Sequence, residues 1–527
     1  MKLLFLLLPF LLFSDVALKS IALTDNHSAS PRNRLGIQAY NLEIPGDFAD
    51  LRNCLTPFLG TPLTSEQIEL IKLTISNFYR LNNHPLLTVG VPNQDITDGH
   101  LQLILIESTL GQVRSTGNKW FSDSLLCKAI RIKPNEPIIA DTLIEDIAWL
   151  NRNPFRSTDL IFTPGAEINT TDIELYTKDR LPVRFYLGGD NTGTEITGRA
   201  RFFTGVDWAW TFLFDQILSY QFTTSADFHK LLSQTGHYTG YLPWRHILIL
   251  YGGYASTRPH IPSFHSTGYN AQGSLRYQMP ITIPPTAFFL QPTLGLDYKL
   301  QKTNLIFAGE SDIFVSGGLA AVSQIMLGND LAWEIPHHKV LFQWLFFWSP
   351  GDIFPHQSTA DFNALRIGAV PNYLYTLMTL SYRYDSSYGT LWFQGRGQKS
   401  TKALLQSEEF ALGGYDTVRG YDEREYLADN GICLNLEFRA PTLSFFSCRK
   451  YRDEWTFLAF FDYGLGVNQL HTIDEQKSAY LLGIGPGVRF AVSPYFTFRA
   501  DYGFKLHKLH FGDSSLGKLH LGALLSY

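Results

Sequence analysis

The chain has 527 residues, enough to bury a large core without disulfide staples, so disordered and miniprotein classes are excluded. Charged residues make up 17% against a usual ~25%, while Phe, Trp and Tyr reach 14%, which points to a surface largely covered by something other than water. The formal net charge is −5 and no long run of Lys or Arg occurs, which argues against a nucleic-acid partner.

Lys2, the apolar run over 3–13 and the small residues of Ser20-Ile21-Ala22 follow in the order of an export leader, so a leader over 1–22 is expected. The run is too short to cross a bilayer as a helix, and no other stretch approaches the ~20 apolar residues a spanning helix needs. The leader holds no cysteine to accept a lipid. An even cysteine count in an exported chain permits disulfides. Of Cys54, Cys127, Cys433 and Cys448, only Cys433 and Cys448 lie close enough in sequence to suggest a pair; free thiols fit equally. No pair has zinc-ligand spacing.

Residues 23–35 read as a linker, and 36–182 as two small α+β units, 36–108 and 109–182. Thr64-Ser65-Glu66-Gln67 opens a helix in which Ile68, Ile71, Ile75 and Phe78 recur at helical spacing. Strands are expected over 86–91 and 101–107. The second unit repeats the pattern, with a strand over 111–115, a helix opened by Thr142 with Glu145 three residues later, and a strand over 172–177.

From 183 to 527 the chain alternates apolar and polar residues in short segments. Phe496, Phe498, Ala500, Tyr502 and Phe504 share one face, with Thr497, Arg499, Asp501, Gly503 and Lys505 on the other. Ile432, Leu434, Leu436 and Phe438 alternate with Cys433, Asn435, Glu437 and Arg439. Phe457, Ala459, Phe461 and Tyr463 alternate with Leu458, Phe460, Asp462 and Gly464. Alternation alone also suits a soluble sandwich. The leader, the aromatic share, strands of about ten residues and the aromatic last residue Tyr527 favour a transmembrane β-barrel, which pairs every backbone group inside lipid. About 16 antiparallel strands fit, at roughly 22 residues per strand with its loop; 14 or 18 also fit.

Residues 394–398, Ser407 to Gly414 and Val418-Arg419-Gly420-Tyr421 resemble a loop signature of the BamA-like outer-membrane assembly and secretion superfamily, and Phe461-Asp462-Tyr463-Gly464 resembles its partner motif on a later strand. The resemblance implies that the loop enters the lumen and that Arg419 pairs with Asp462. The alternation separately puts Asp462 on the polar face, and the Arg fork suits a bidentate carboxylate contact. Val91-Pro92-Asn93-Gln94-Asp95-Ile96, Leu150-Asn151-Arg152-Asn153-Pro154, Asp190-Asn191-Thr192-Gly193 and Thr197-Gly198-Arg199 are similar to two-partner secretion transporters of the haemolysin secretion/activation family. That family implies two periplasmic POTRA domains, a 16-stranded barrel, one unfolded secreted partner protein and no cofactor. Client contacts are expected at Pro92 and Gln94. The family's N-terminal plug helix does not fit in 23–35.

Catalytic and metal motifs find no support. Gly512-Asp513-Ser514-Ser515 lacks a nucleophile elbow, Gly483-Ile484-Gly485-Pro486-Gly487 lacks a following helix, and His337-His338 has no metal spacing. The expected function is protein export across the outer membrane without nucleotide hydrolysis, by one protomer set in outer-membrane lipid, with the N-terminal domains in the periplasm. The alternatives are a barrel-protein or autotransporter assembly factor and a diffusion porin.

Overall fold

The computed structural model describes residues 16–25, 35–210, 214–261, 264–283, 288–307, 313–446, 452–470, 476–509 and 515–527. The chain divides into two units, Met1–Arg180 and Leu181–Tyr527.

The first unit holds two α+β domains. In the first, strands β1 (Ser20–Thr24), β2 (Gly36–Tyr40), β3 (Leu87–Gly90) and β4 (His100–Glu107) form a sheet of order β2-β1-β4-β3. Helices α1 (Phe48–Leu55) and α2 (Ser65–Leu81) pack on it. The Thr64 hydroxyl accepts from the Gln67 amide at 3.2 Å, which caps α2 as the sequence requires. Ile71, Ile75, Phe78 and Tyr79 of α2 then meet Ile21, Leu23, Leu101, Leu103 and Leu105 in one core.

Strand β1 takes in the end of the expected leader of 1–22 and the first two residues of the expected linker of 23–35, of which 26–34 lie outside the described residues. It lies parallel to both β2 and β4 and is central in the sheet. The chain is already tied in before it: the Leu63 amide donates to the Val16 carbonyl at 2.8 Å, and the Leu18 amide to the Thr61 carbonyl at 2.9 Å. Leu18, Ile21 and Leu23 are essentially fully buried. A cut after Ala22 would halve the strand and strip two of these residues from the core, so the domain takes in the chain from Val16.

The second domain pairs β5 (Thr109–Thr116), β6 (Arg156–Pro164) and β7 (Thr170–Asp179) in the order β5-β7-β6, with helices α3 (Asp123–Lys128) and α4 (Ala140–Leu150). Here β5 lies parallel to β7, as β1 does to β4, so β2 is the strand the first domain has in addition. Helix α4 starts ahead of Thr142, with no side-chain cap at Ile139. Glu145 instead receives Arg131 Nη2 at 2.5 Å.

The second unit is a closed barrel. Among the described residues its sixteen strands are β8 (Val183–Asp190), β9 (Arg201–Trp210), β10 (Asp215–Ser225), β11 (Leu231–Tyr241), β12 (Ile247–Thr257), β13 (Phe264–Gln278), β14 (Phe288–Phe307), β15 (Ile313–Ile335), β16 (His338–Ser349), β17 (Tyr373–Ser386), β18 (Gly389–Ser400), β19 (Asn430–Arg439), β20 (Asp453–Val467), β21 (Ser478–Val492), β22 (Phe496–Lys505) and β23 (Gly517–Ser526). All neighbours are antiparallel, and β23 closes on β8 through five register pairs, Gly522 with Asp190 to Ser526 with Tyr186. The Asn191 side chain extends this seam, donating to the Leu519 carbonyl at 2.6 Å and accepting from the Leu521 amide at 2.8 Å.

The faces decide between barrel and sandwich. Ile432, Leu436, Phe438, Phe457 and Phe461 point outward and are exposed, whereas Cys433, Asn435, Glu437, Phe460 and Asp462 point inward and are buried. A greasy outside around a polar inside is the arrangement lipid demands.

Two connections at one end of the barrel fold back inside. Residues 350–372 carry α5 (Thr359–Leu365), whose Ser358 and Asp361 form a capping box. Phe362 of this helix is fully buried with Ala320 and Val322 of β15, Tyr373 and Tyr375 of β17, and Leu404 and Leu405 of the second connection, 401–429. Cys433 is a buried free thiol; Cys448, its suggested mate, lies outside the described residues, as do residues 512–514. His337 occupies a left-handed turn position (φ 68°) between β15 and β16.

Candidate functional site

The site is the 401–429 connection and the wall it presses on. A short hairpin of Phe410–Leu412 with Tyr426–Ala428 stiffens it, and its tip is Val418-Arg419-Gly420-Tyr421. Val418 and Tyr421 are buried with Phe410, Leu412, Cys433 and Leu481. The Tyr421 hydroxyl donates to backbone carbonyls of Leu482, at 3.1 Å, and His507.

Arg419 is 3% exposed and reaches three wall strands. Its Nε and Nη2 donate to the two Asp462 oxygens of β20 at 2.7 and 2.8 Å, the bidentate fork expected from the sequence. Nη1 donates to Glu437 of β19 at 2.6 Å and lies 3.7 Å from Asp501 of β22. The guanidinium also sits 3.5 Å over the Phe460 ring centroid. Three buried carboxylates around one cation would repel, and further donors balance them. Arg439 holds Glu437 at 2.7 Å, Arg489 holds Asp501 at 2.6 and 2.8 Å, and Asn435 donates to Asp462 at 2.8 Å. The network thus sets three carboxylates against three guanidiniums, which is how buried charge is tolerated.

Glycine makes the close seating possible. Gly420 has φ 102°, and its amide donates to His520 Nε2 of β23 at 3.1 Å. A Cβ on Gly503 of β22 would strike the Arg419 and Gly420 backbone, and one on Gly483 of β21 would strike the Arg419 carbonyl. Gly483 and Gly503 are therefore the floor on which the loop tip rests. The ladder between β21 and β22 holds at Gly483 and Ile484 and resumes at Gly487, leaving Gly485 and Pro486 unpaired to β22.

Arg419 and Asp462 are thus brought together, while Glu437 and Asp501 were recognisable beforehand only as polar-face residues, with no spacing to name them as partners. Gln94, one of the two expected client contacts, is tied to its own domain. Its side-chain amide donates to the Gln102 carbonyl at 2.7 Å and accepts from the Gln102 amide at 2.8 Å, so it fills a ladder position of β4 beyond the end of β3. Pro92 lines an open groove with Val91, Gly90 and Ile168.

Residues 347–490 match the family described as haemolysin secretion/activation protein ShlB/FhaC/HecB, and residues 39–108 match the ShlB-type POTRA domain. The heme/hemopexin transporter protein HuxB of Haemophilus influenzae (strain 86-028NP) is 20% identical over 483 residues, covering 86% of this chain and 79% of its own. The outer membrane transporter CdiB of Dickeya dadantii (strain 3937) is 24% identical over 452 residues, covering 81% and 74%. Among solved structures, CdiB from Escherichia coli superposes with a TM-score of 0.75 at 16% identity, covering 97% of this chain and 90% of that one. BamA from Haemophilus ducreyi lacking POTRA domains 1–3 gives 0.52 at 13% identity, covering 91% and 97%; both likenesses concern the fold. With a periplasmic POTRA domain, a sixteen-stranded barrel and these matches, the chain is an outer-membrane protein transporter similar to those of two-partner secretion, and its residues 347–490 match the haemolysin secretion/activation family.

Proposed function

We propose that this transporter passes one unfolded client through the barrel, with the 401–429 connection as its gate and Arg419 as the latch. The observation that carries the reading is the fork between Arg419 and Asp462 inside the barrel, at 2.7 and 2.8 Å, on a loop folded back into the lumen. A loop whose tip is held to the wall by buried charge pairs, with no covalent bond at the tip, can leave its seat and return. Capture of the client takes place at the free edge of β3, where backbone pairing needs no particular client sequence; Pro92 shapes the groove beside that edge. Folding of the client outside supplies the direction. One protomer suffices, and the outward apolar band is filled by outer-membrane lipid.

Depleting the protein and quantifying the culture medium and outer membrane by proteomics tests this. Loss of one large secreted protein, with other barrels unchanged, is expected. A broad fall in outer-membrane barrels would mean an assembly factor and overturn the export reading, and steady high conductance of the purified protein in planar bilayers would mean a porin. Arg419→Ala is expected to insert normally and to secrete poorly.

A further inference from the structure

The inward connection is fastened at its stem as well as at its tip, and to a different part of the wall. Glu408, whose side chain is 1% exposed, precedes the short hairpin. Lys299 Nζ of β14 donates to both Glu408 oxygens at 2.9 Å; Gln324 Nε2 of β15 and the Tyr375 hydroxyl of β17 each donate to Oε2 at 2.9 Å. Ser407 adds a fourth donor at 3.1 Å. No donor in this set comes from the strands that hold Arg419. Where the connection returns to the wall, Asp429 is fully buried and accepts from Arg366 Nη1 at 2.6 Å, the Leu404 amide at 2.8 Å and the Gln469 amide at 2.8 Å. Arg366 stands at the C-terminus of α5 and also pairs with Glu409 at 3.0 Å. Both ends of the loop are therefore clamped, through Glu408 to the wall and through Asp429 and Glu409 to α5.

The two fastenings differ in kind. At the tip, Arg419 leaves behind Phe460, two carboxylates that keep their own guanidinium partners, Glu437 with Arg439 and Asp501 with Arg489, and Asp462, which keeps the Asn435 amide. At the stem, Glu408 is a buried anion, and withdrawing it would take the counter-charge from the Lys299 ammonium and the acceptor from the Tyr375 hydroxyl, and leave the Gln324 amide with Tyr373 alone. We propose that the Glu408 and Lys299 pair is a fixed pivot, so that the gate opens by swinging the tip, residues 410–427, about a stem that stays clamped, rather than by leaving the lumen whole. Glu408 and Lys299 are positioning residues: they return the tip to its seat after each passage. The inference rests on the gate reading above.

Covalent tethers separate the two ideas. In a background with Cys54, Cys127, Cys433 and Cys448 replaced by Ser, the pairs Lys299→Cys with Glu408→Cys and Arg419→Cys with Asp462→Cys are bridged by a short bis-methanethiosulfonate, and client secretion is measured before and after bridging. Unbridged, the stem pair is expected to lower secretion about tenfold, the loss of one charge-assisted contact, and to lengthen open dwell times in planar bilayers. Bridging the stem is expected to restore secretion, and bridging the tip to abolish it. If the bridged stem blocks secretion as fully as the bridged tip, the pivot is wrong and the whole loop departs. If the bridged tip still secretes, the gate reading itself fails.

Discussion

Replacing Arg419 with Ala leaves Asp462 fully buried with the Asn435 amide as its remaining side-chain donor, while Glu437 and Asp501 keep Arg439 and Arg489. Breaking a buried ion pair by removing one partner costs about 3–5 kcal/mol, and the two relieved carboxylates place this case toward the lower end. At about 1.4 kcal/mol per decade, the docked loop loses at least about hundredfold in population against the undocked one. Open fraction in planar-bilayer recordings reads that ratio directly. Arg419→Lys keeps the charge but not the fork, and should fall between parent and Ala. Combining Arg419→Ala with Asp462→Ala should recover part of the loss, because no anion is then stranded, and a coupling energy of about 2 kcal/mol or more is expected from the four-variant cycle. An open fraction for Arg419→Ala within about twofold of the parent, with coupling below about 0.5 kcal/mol, would refute the claim that this pair holds the loop.

Three further outcomes are expected. N-terminal sequencing of protein purified from the outer membrane should find a first residue at or before Val16; a start at Leu23 would show that β1 is not kept. Gly503→Val should unseat the tip, since its Cβ would collide with the Arg419 and Gly420 backbone, and should raise open fraction as Arg419→Ala does while the barrel still migrates as folded in heat-modifiability gels. Gln94→Ala should weaken the first domain by about 1–3 kcal/mol through two lost ladder bonds, read as faster amide exchange at Gln102, while leaving client binding per folded molecule unchanged.

Much of this architecture was legible because lipid imposes a strict period. Along β20 the exposed Phe457, Ala459 and Phe461 alternate with the buried Leu458, Phe460 and Asp462, and that rhythm alone put Asp462 in the lumen. The loop arginine was legible only through its likeness to a known motif, and its other partners were not, because Glu437, Asp462 and Asp501 sit on three strands whose registers no local pattern reports. Strand β1 was missed for a different reason. Its small and apolar residues, Ser20 to Leu23, satisfy a leader's cleavage pattern as well as they satisfy a buried strand, and only the partners far along the chain, Leu101 and Leu103, decide between the two. The start of α4 escaped because Thr142 and Glu145 imitate a capping box whose Glu is in fact engaged by Arg131.

The glycine floor has a mechanical consequence. Strands β21 and β22 present Gly483, Gly485, Gly487 and Gly503 to the lumen, and Gly485 and Pro486 leave a gap in the ladder joining them. A wall this short of side chains and cross-links is compliant, and the docked tip acts as its splint: Arg419 ties β19, β20 and β22 together while Gly420 reaches β23. Lifting the tip therefore removes an obstruction and a brace in one movement. The docked tip thus braces the stretch of wall that leads to the five-pair seam between β23 and β8.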